Sequence, residues 1–98
     1  MDLDELTEAM HRFVRDKGWY AGDSPRPQTP RNLAVSLSIE AAEVLELFQW
    51  GETVPEKGML SSELADVTLY LLQLASVCDV DLTRAVMDKL ATNYNRDW

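Results

Sequence analysis

Apolar residues recur along the chain at the three-to-four-residue spacing of helices, and nowhere with the alternation of turn-bounded strands. Leu3, Leu6, Met10, Phe13 and Val14 predict a first helix over about residues 3–17, ended by Gly18. The following stretch, GWYAGDSPRPQTP, is broken by glycine and proline and reads as a loop. Thr29 and Pro30 supply an N-cap and a first helical residue, so a second helix is predicted from Pro30 to Trp50, stopped by Gly51. GETVPEKGM is a connection. Ser61 or Ser62 is placed to cap a third helix reaching about Val77, and Asp79 or Asp81 to start a fourth over about Leu82–Tyr94. The prediction is an all-α four-helix bundle. With no repeat, low-complexity tract or linker, residues 1–98 form a single domain.

Composition sharpens this picture in three ways. Apolar residues make up 46% and charged residues 27%, the balance of a soluble globular chain. A net charge of −8 argues against a nucleic-acid binder, which needs a basic footprint, but leaves room for a phosphate ligand bridged by metal ions. No apolar run has membrane-spanning length and the amphipathic N-terminus, MDLDELTEAM, is acidic, so no membrane association and a cytoplasmic location are expected. The lone Cys78 lies in an apolar run and is expected to be a buried, inert thiol.

Helices two and three are apolar almost all the way round, as expected of helices buried on most sides. Each still carries acidic residues three apart, Glu40 with Glu43 and Glu63 with Asp66, a spacing that puts each pair on one helical face. Two such pairs are either solvated edges or the walls of a cation site, because facing carboxylates repel unless something positive lies between them. The polar neighbours Ser36, Tyr70 and Gln73 extend the stripes and favour the cation site, with Glu46 left at the surface. One histidine and one cysteine do not suit structural zinc or a di-iron bundle. Mg²⁺, or Mn²⁺, is the expected ion. His11, outside any ligand motif, is expected to be an exposed helix residue.

The motifs Glu40-Ala-Ala-Glu43 and Glu63-Leu-Ala-Asp66, with PRNLA (30–34), ELFQW (46–50), ELADVTLYLLQLA (63–75) and Lys89-x-x-x-Asn93, resemble the MazG-like all-α nucleoside triphosphate pyrophosphohydrolases, and within them the compact dCTP pyrophosphatase branch. The resemblance runs from Trp19 onward. It implies hydrolysis of a nucleoside triphosphate between the α and β phosphates. Glu40, Glu43, Glu63 and Asp66 match the family's Mg²⁺ ligands, and Glu43 is favoured as the carboxylate that takes the water's proton. Trp19 and Trp50 match aromatic positions at the nucleotide site, Tyr70 a residue near sugar and phosphates, Lys89 a phosphate contact and Asn93 a base or sugar contact. Arg31 is assigned a structural role at the start of helix two. There are departures too: Gln28 stands where eukaryotic relatives carry a histidine, which loosens the expectation of strict cytosine specificity. The chain also stops at Trp98, which would reduce C-terminal basic contacts, with Arg96 a partial replacement or a solvated end.

Two nearly all-apolar helices in a small chain predict self-association. The resemblance implies a dimer of dimers with sites near subunit boundaries, hence a homotetramer with a dimer as the minimum. Two functions follow from different classes: a Mg²⁺-dependent pyrophosphohydrolase acting on dCTP or a related pyrimidine nucleotide, or a non-catalytic helical module whose acidic stripes bind a basic partner.

Overall fold

The computed structural model describes residues 1–98. Four helices follow one another, α1 (Leu3–Asp16), α2 (Pro30–Glu46), α3 (Lys57–Val77) and α4 (Leu82–Tyr94), with no strand. No helix is long and apolar enough to cross a membrane.

Local chemistry explains most of the boundaries. Asp2 and Glu5 form a capping box at the start of α1, and Asp81 accepts from the Arg84 N–H at 3.0 Å to start α4. Past the end of α1, Gly18 takes a φ of 77° while its N–H reaches Arg15 O and that of Trp19 reaches Val14 O. This left-handed closure turns the chain back and lays Trp19 edge-on against Phe13, with ring centroids 5.6 Å apart. The end of α3 closes likewise, with Asp79 at φ 59° and the Val80 N–H on Ala75 O.

Two boundaries differ from expectation. Helix α2 ends at Glu46 rather than Trp50, and Leu47–Trp50 continue as tight turns, for example Phe48 N–H on Leu45 O at 2.9 Å. Helix α3 starts at Lys57, one turn before the serines. The Glu56 carboxylate caps it by accepting from the Gly58 and Met59 N–H groups at 2.9 and 3.0 Å. Those two bonds, Gly58 first, hold the Glu56 carboxyl below its usual range.

Helix α3 packs against both α2 and α1. Ser36 and Tyr70 share one cavity, while Glu43 meets Glu63 seven residues later in α2 and seven earlier in α3, so these helices run antiparallel. The interior is small: Met10, Val14, Leu33 and Leu72 are its buried apolar side chains, and Gln73 is buried among them. The all-α four-helix fold is the one expected, with α4 the most loosely packed of its helices.

The accessible surface is 7595 Å², against about 5,700 Å² for a compact monomer of this mass. The radius of gyration is 15.8 Å, against about 13 Å for a compact domain of about 100 residues. Large apolar side chains contribute to the excess. Leu45, Val86, Met87, Leu90 and Tyr94 are all exposed.

Candidate active site

Antiparallel packing of α2 and α3 brings the two acidic motifs together. One carboxylate oxygen from each of Glu40, Glu43 and Glu63 lies within 4.8 Å of the others. Oε2 of Glu40 and Oε2 of Glu63 are sealed from solvent and have no hydrogen-bond partner. Sealed, unpartnered carboxylate oxygens are costly and call for a proton or a cation. Asp66 lies outside this tight group, but its charge is felt at both Glu40 and Glu63, and it borders the adjoining cavity.

Crowding makes these carboxyls weaker acids. Burial, then the close Glu43 carboxyl, then the charges of Glu43, Asp66 and Glu63 push Glu40 up to about 7. Glu63 is raised chiefly by the close Glu43 carboxyl, then by burial and the charges of Glu43, Asp66 and Glu46. Glu43 is thus the member both others touch. Exposed Glu46, expected only at the surface, adds its charge to the cluster.

The folded state binds an extra proton at Glu40 between pH 4.5, its unfolded value, and about 7. Its stabilising effect is complete below that window and lost as pH rises through it. Solvent screening at this half-exposed residue holds the change to about 1–2 kcal/mol. Chelator-treated protein is therefore expected to melt higher at pH 5 than at pH 7.5, as thermal denaturation will register. A flat or rising profile would contradict the crowded cluster.

Beside the acids lies a cavity of about 340 Å³ walled by α1, α3 and the loop between α1 and α2, where Phe13, Trp19, Leu69 and Tyr70 meet Asp66 and Gln73. A second cavity, about 420 Å³, shares Trp19 and Tyr70 with it and adds Arg31 and Ser36. The structure thus brings together Glu40, Glu43, Glu63, Asp66, Trp19 and Tyr70. It does not bring Trp50, which is 92% exposed and borders neither cavity. Lys89 is exposed on α4, and Asn93, on the same helix, holds a sealed Oδ1 with no partner.

Two expectations are corrected. Cys78 is exposed, because it lies at the C-cap of α3, where the helix turns away from the interior. His11 is half-buried and held at both ring nitrogens, Nδ1 with the Tyr20 hydroxyl and Nε2 with the Ser76 hydroxyl, each at 2.7 Å. This chain of bonds continues from Tyr20 to Gln73 and Gln28. Gln73 was legible only as one more polar residue of the stripe; its burial was not.

Paired carboxylates on two antiparallel helices, beside an aromatic-walled cavity, define a class of helical domain built around an acidic cluster. The chain belongs to the MazG-like family, whose model matches residues 35–97. It is 37% identical over 103 aligned residues to dCTP pyrophosphatase 1 of Rattus norvegicus and 36% identical to that of Homo sapiens, in each case across 96% of this chain. The chain spans 58% of the length of these relatives. A pyrophosphatase from Archaeoglobus fulgidus superposes with a TM-score of 0.80 at 37% identity, over 94% of this chain and 88% of that one.

Proposed function

We propose that the protein hydrolyses a nucleoside triphosphate, dCTP or a related pyrimidine nucleotide, to the monophosphate and pyrophosphate. One observation carries this reading: the Glu40–Glu43–Glu63 cluster, with Asp66 at its edge, adjoins a cavity with the aromatic walls a base requires. The dCTP pyrophosphatase relatives support the substrate class.

The residues fit a hard divalent cation. Three close carboxylates, two of them with a sealed, unpartnered oxygen, are a donor set that suits a hard divalent cation. Glu40, Glu43, Glu63 and Asp66 would hold it, with Mn²⁺ as a substitute. When bound, such an ion neutralises phosphate charge and favours ionisation of water. In the reaction a water oxygen bonds to the α phosphorus, the bond to the bridging oxygen breaks, and pyrophosphate leaves with the electron pair. Glu43, central in the cluster, accepts the water's proton. Trp19 and Tyr70 orient the base and sugar.

A panel of triphosphates, with Mg²⁺ and pyrophosphate detection, tests this. Turnover of dCTP is expected, lost on chelation and restored by Mg²⁺. A competing reading, a non-catalytic module binding a basic partner, predicts no turnover with any nucleotide and no change in melting temperature with Mg²⁺.

The working unit is proposed to be a homo-oligomer, a tetramer with a dimer as its minimum. The roughly 1,900 Å² of accessible surface above a compact monomer's supports this. Trp50, which borders neither cavity, and Lys89 and Asn93 on α4 are assigned to a nucleotide site completed by a second copy. The protein is proposed to be cytoplasmic, without nucleic-acid or membrane partners.

A further inference from the structure

The polar groups behind the aromatic cavity are committed one after another, and the commitments have a direction. The Arg26 carbonyl can only accept, and Gln28 Nε2 lies 2.7 Å from it, so Gln28 must present its amine there. Its Oε1 therefore faces Gln73, whose Nε2 donates to it at 2.8 Å. The same Nε2 donates to the Tyr20 hydroxyl at 3.2 Å. Tyr20 is tied in turn to His11, and His11 to Ser76. Burial raises the Tyr20 phenol, more than the Gln73 bond lowers it, so it keeps its proton in neutral solution.

Both amide hydrogens of Gln73 are thereby used. Its side chain is 97% buried (3% exposed), yet Oε1 makes no hydrogen bond and is not among the sealed, unpartnered atoms. Gln73 borders a single cavity, the one walled by Phe13 and Trp19, so the free oxygen opens there. An oriented acceptor in a mainly apolar, aromatic-walled space recognises a donor and refuses a second acceptor, because an unpaired or repelled polar group there is costly.

We propose that Gln73 is a specificity-determining residue: its amide oxygen, locked in orientation by Gln28 and Tyr20, accepts a hydrogen bond from the exocyclic amine of a base seated in the Phe13–Trp19 cavity. This rests on the triphosphate reading above and deepens it. Amino-bearing bases of the cytosine type are accepted. Uracil-type bases carry their only ring donor between two carbonyl oxygens, and those oxygens repel the amide oxygen. Gln28 also lines that cavity, but its Oε1 is committed to Gln73 and its Nε2 to the Arg26 carbonyl, so it acts on the base through Gln73. It is a positioning residue whose loss frees the Gln73 amide to turn over and offer its NH₂ instead.

Two measurements test the proposal on the intact protein with Mg²⁺: kcat/KM for dCTP and dUTP, and dissociation constants for dCMP and dUMP by calorimetry. Wild type is expected to favour the amino base at least about tenfold in both, on the order of one well-placed hydrogen bond. Gln73→Leu is expected to bring the ratio to within about threefold of unity, acting mainly through KM. Gln28→Leu is expected to raise dUTP use relative to dCTP, a reversal that lost packing would not produce. The proposal is overturned by a wild-type ratio near unity, by failure of both monophosphates to bind, or by variants that weaken both bases equally. Should Gln73→Leu fail to fold, the wild-type ratio and Gln28→Leu still decide. Triphosphate turnover without base preference sinks the Gln73 assignment alone, whereas selective dCMP binding without any turnover sinks the hydrolytic reading and leaves Gln73 standing.

Discussion

Glu43→Gln is expected to lower turnover by about a thousandfold while making the chelator-treated protein more stable. Glu43 is the carboxyl that crowds both Glu40 and Glu63. Replacing it with a neutral amide of nearly the same shape removes that repulsion and offers the sealed oxygens of Glu40 and Glu63 a donor. The gain is expected to register as a rise of a few degrees in melting temperature, modest because the groups are partly solvated. The same change deletes the proposed proton acceptor, a role worth about 10²–10⁴ in rate. Stability and activity should therefore move in opposite directions, with Mg²⁺ no longer raising the melting temperature appreciably. Steady-state kinetics and calorimetry on the two proteins will show this. A variant with wild-type turnover would remove Glu43 from the chemistry. One that is both inactive and less stable would mean that Glu43 holds the fold together instead.

Leu90→Glu should break the proposed assembly. Helix α4 has little to pack against within its own chain, yet it presents Val86, Met87, Leu90 and Tyr94, the last 90% exposed, at helical spacing. Leu90 sits within that stripe, and Lys89 and Asn93 flank it. Burying leucine in an interface contributes about 1.5–3 kcal/mol, and placing a charge there instead costs several more. Subunit affinity should weaken at least a hundredfold, which is about 2.8 kcal/mol. Light scattering behind gel filtration should show a lower mass, and dCTP turnover should fall with it, because the proposed roles of Lys89 and Asn93 need a second copy. Unchanged mass would take α4 out of the interface. A lower mass at full turnover would confine the active site to one chain.

Helix existence was legible because α1 has a strong apolar stripe and α2 and α3 are long apolar runs bounded by breakers, and three of the four caps are the short polar or acidic side chains that favour that position. The early start of α3 was not, because a glutamate cap is uncommon. Glu56 succeeds because Gly58 leaves room for its carboxylate: a β-carbon there would lie 3.0 Å from Glu56 Oε2. The acidic pairs were readable from i, i+3 spacing alone. What spacing did not provide was their mutual placement, since Asp66 turns from the tight cluster toward the aromatic cavity. Nor could it show the His11–Tyr20–Gln73–Gln28 chain, which joins residues up to 65 positions from their partners, as His11 is from Ser76. Long-range polar pairing of this kind leaves no periodic trace.

The meagre interior, five buried residues out of 98, has a consequence for how the protein is handled and made. A lone chain has little to hold it folded, so the proposed assembly would make dilution act as a denaturant and tie the unfolding temperature to protein concentration. Newly synthesised copies would then have to meet before they are safe from aggregation, and the encounter rate between chains would govern how fast functional protein accumulates.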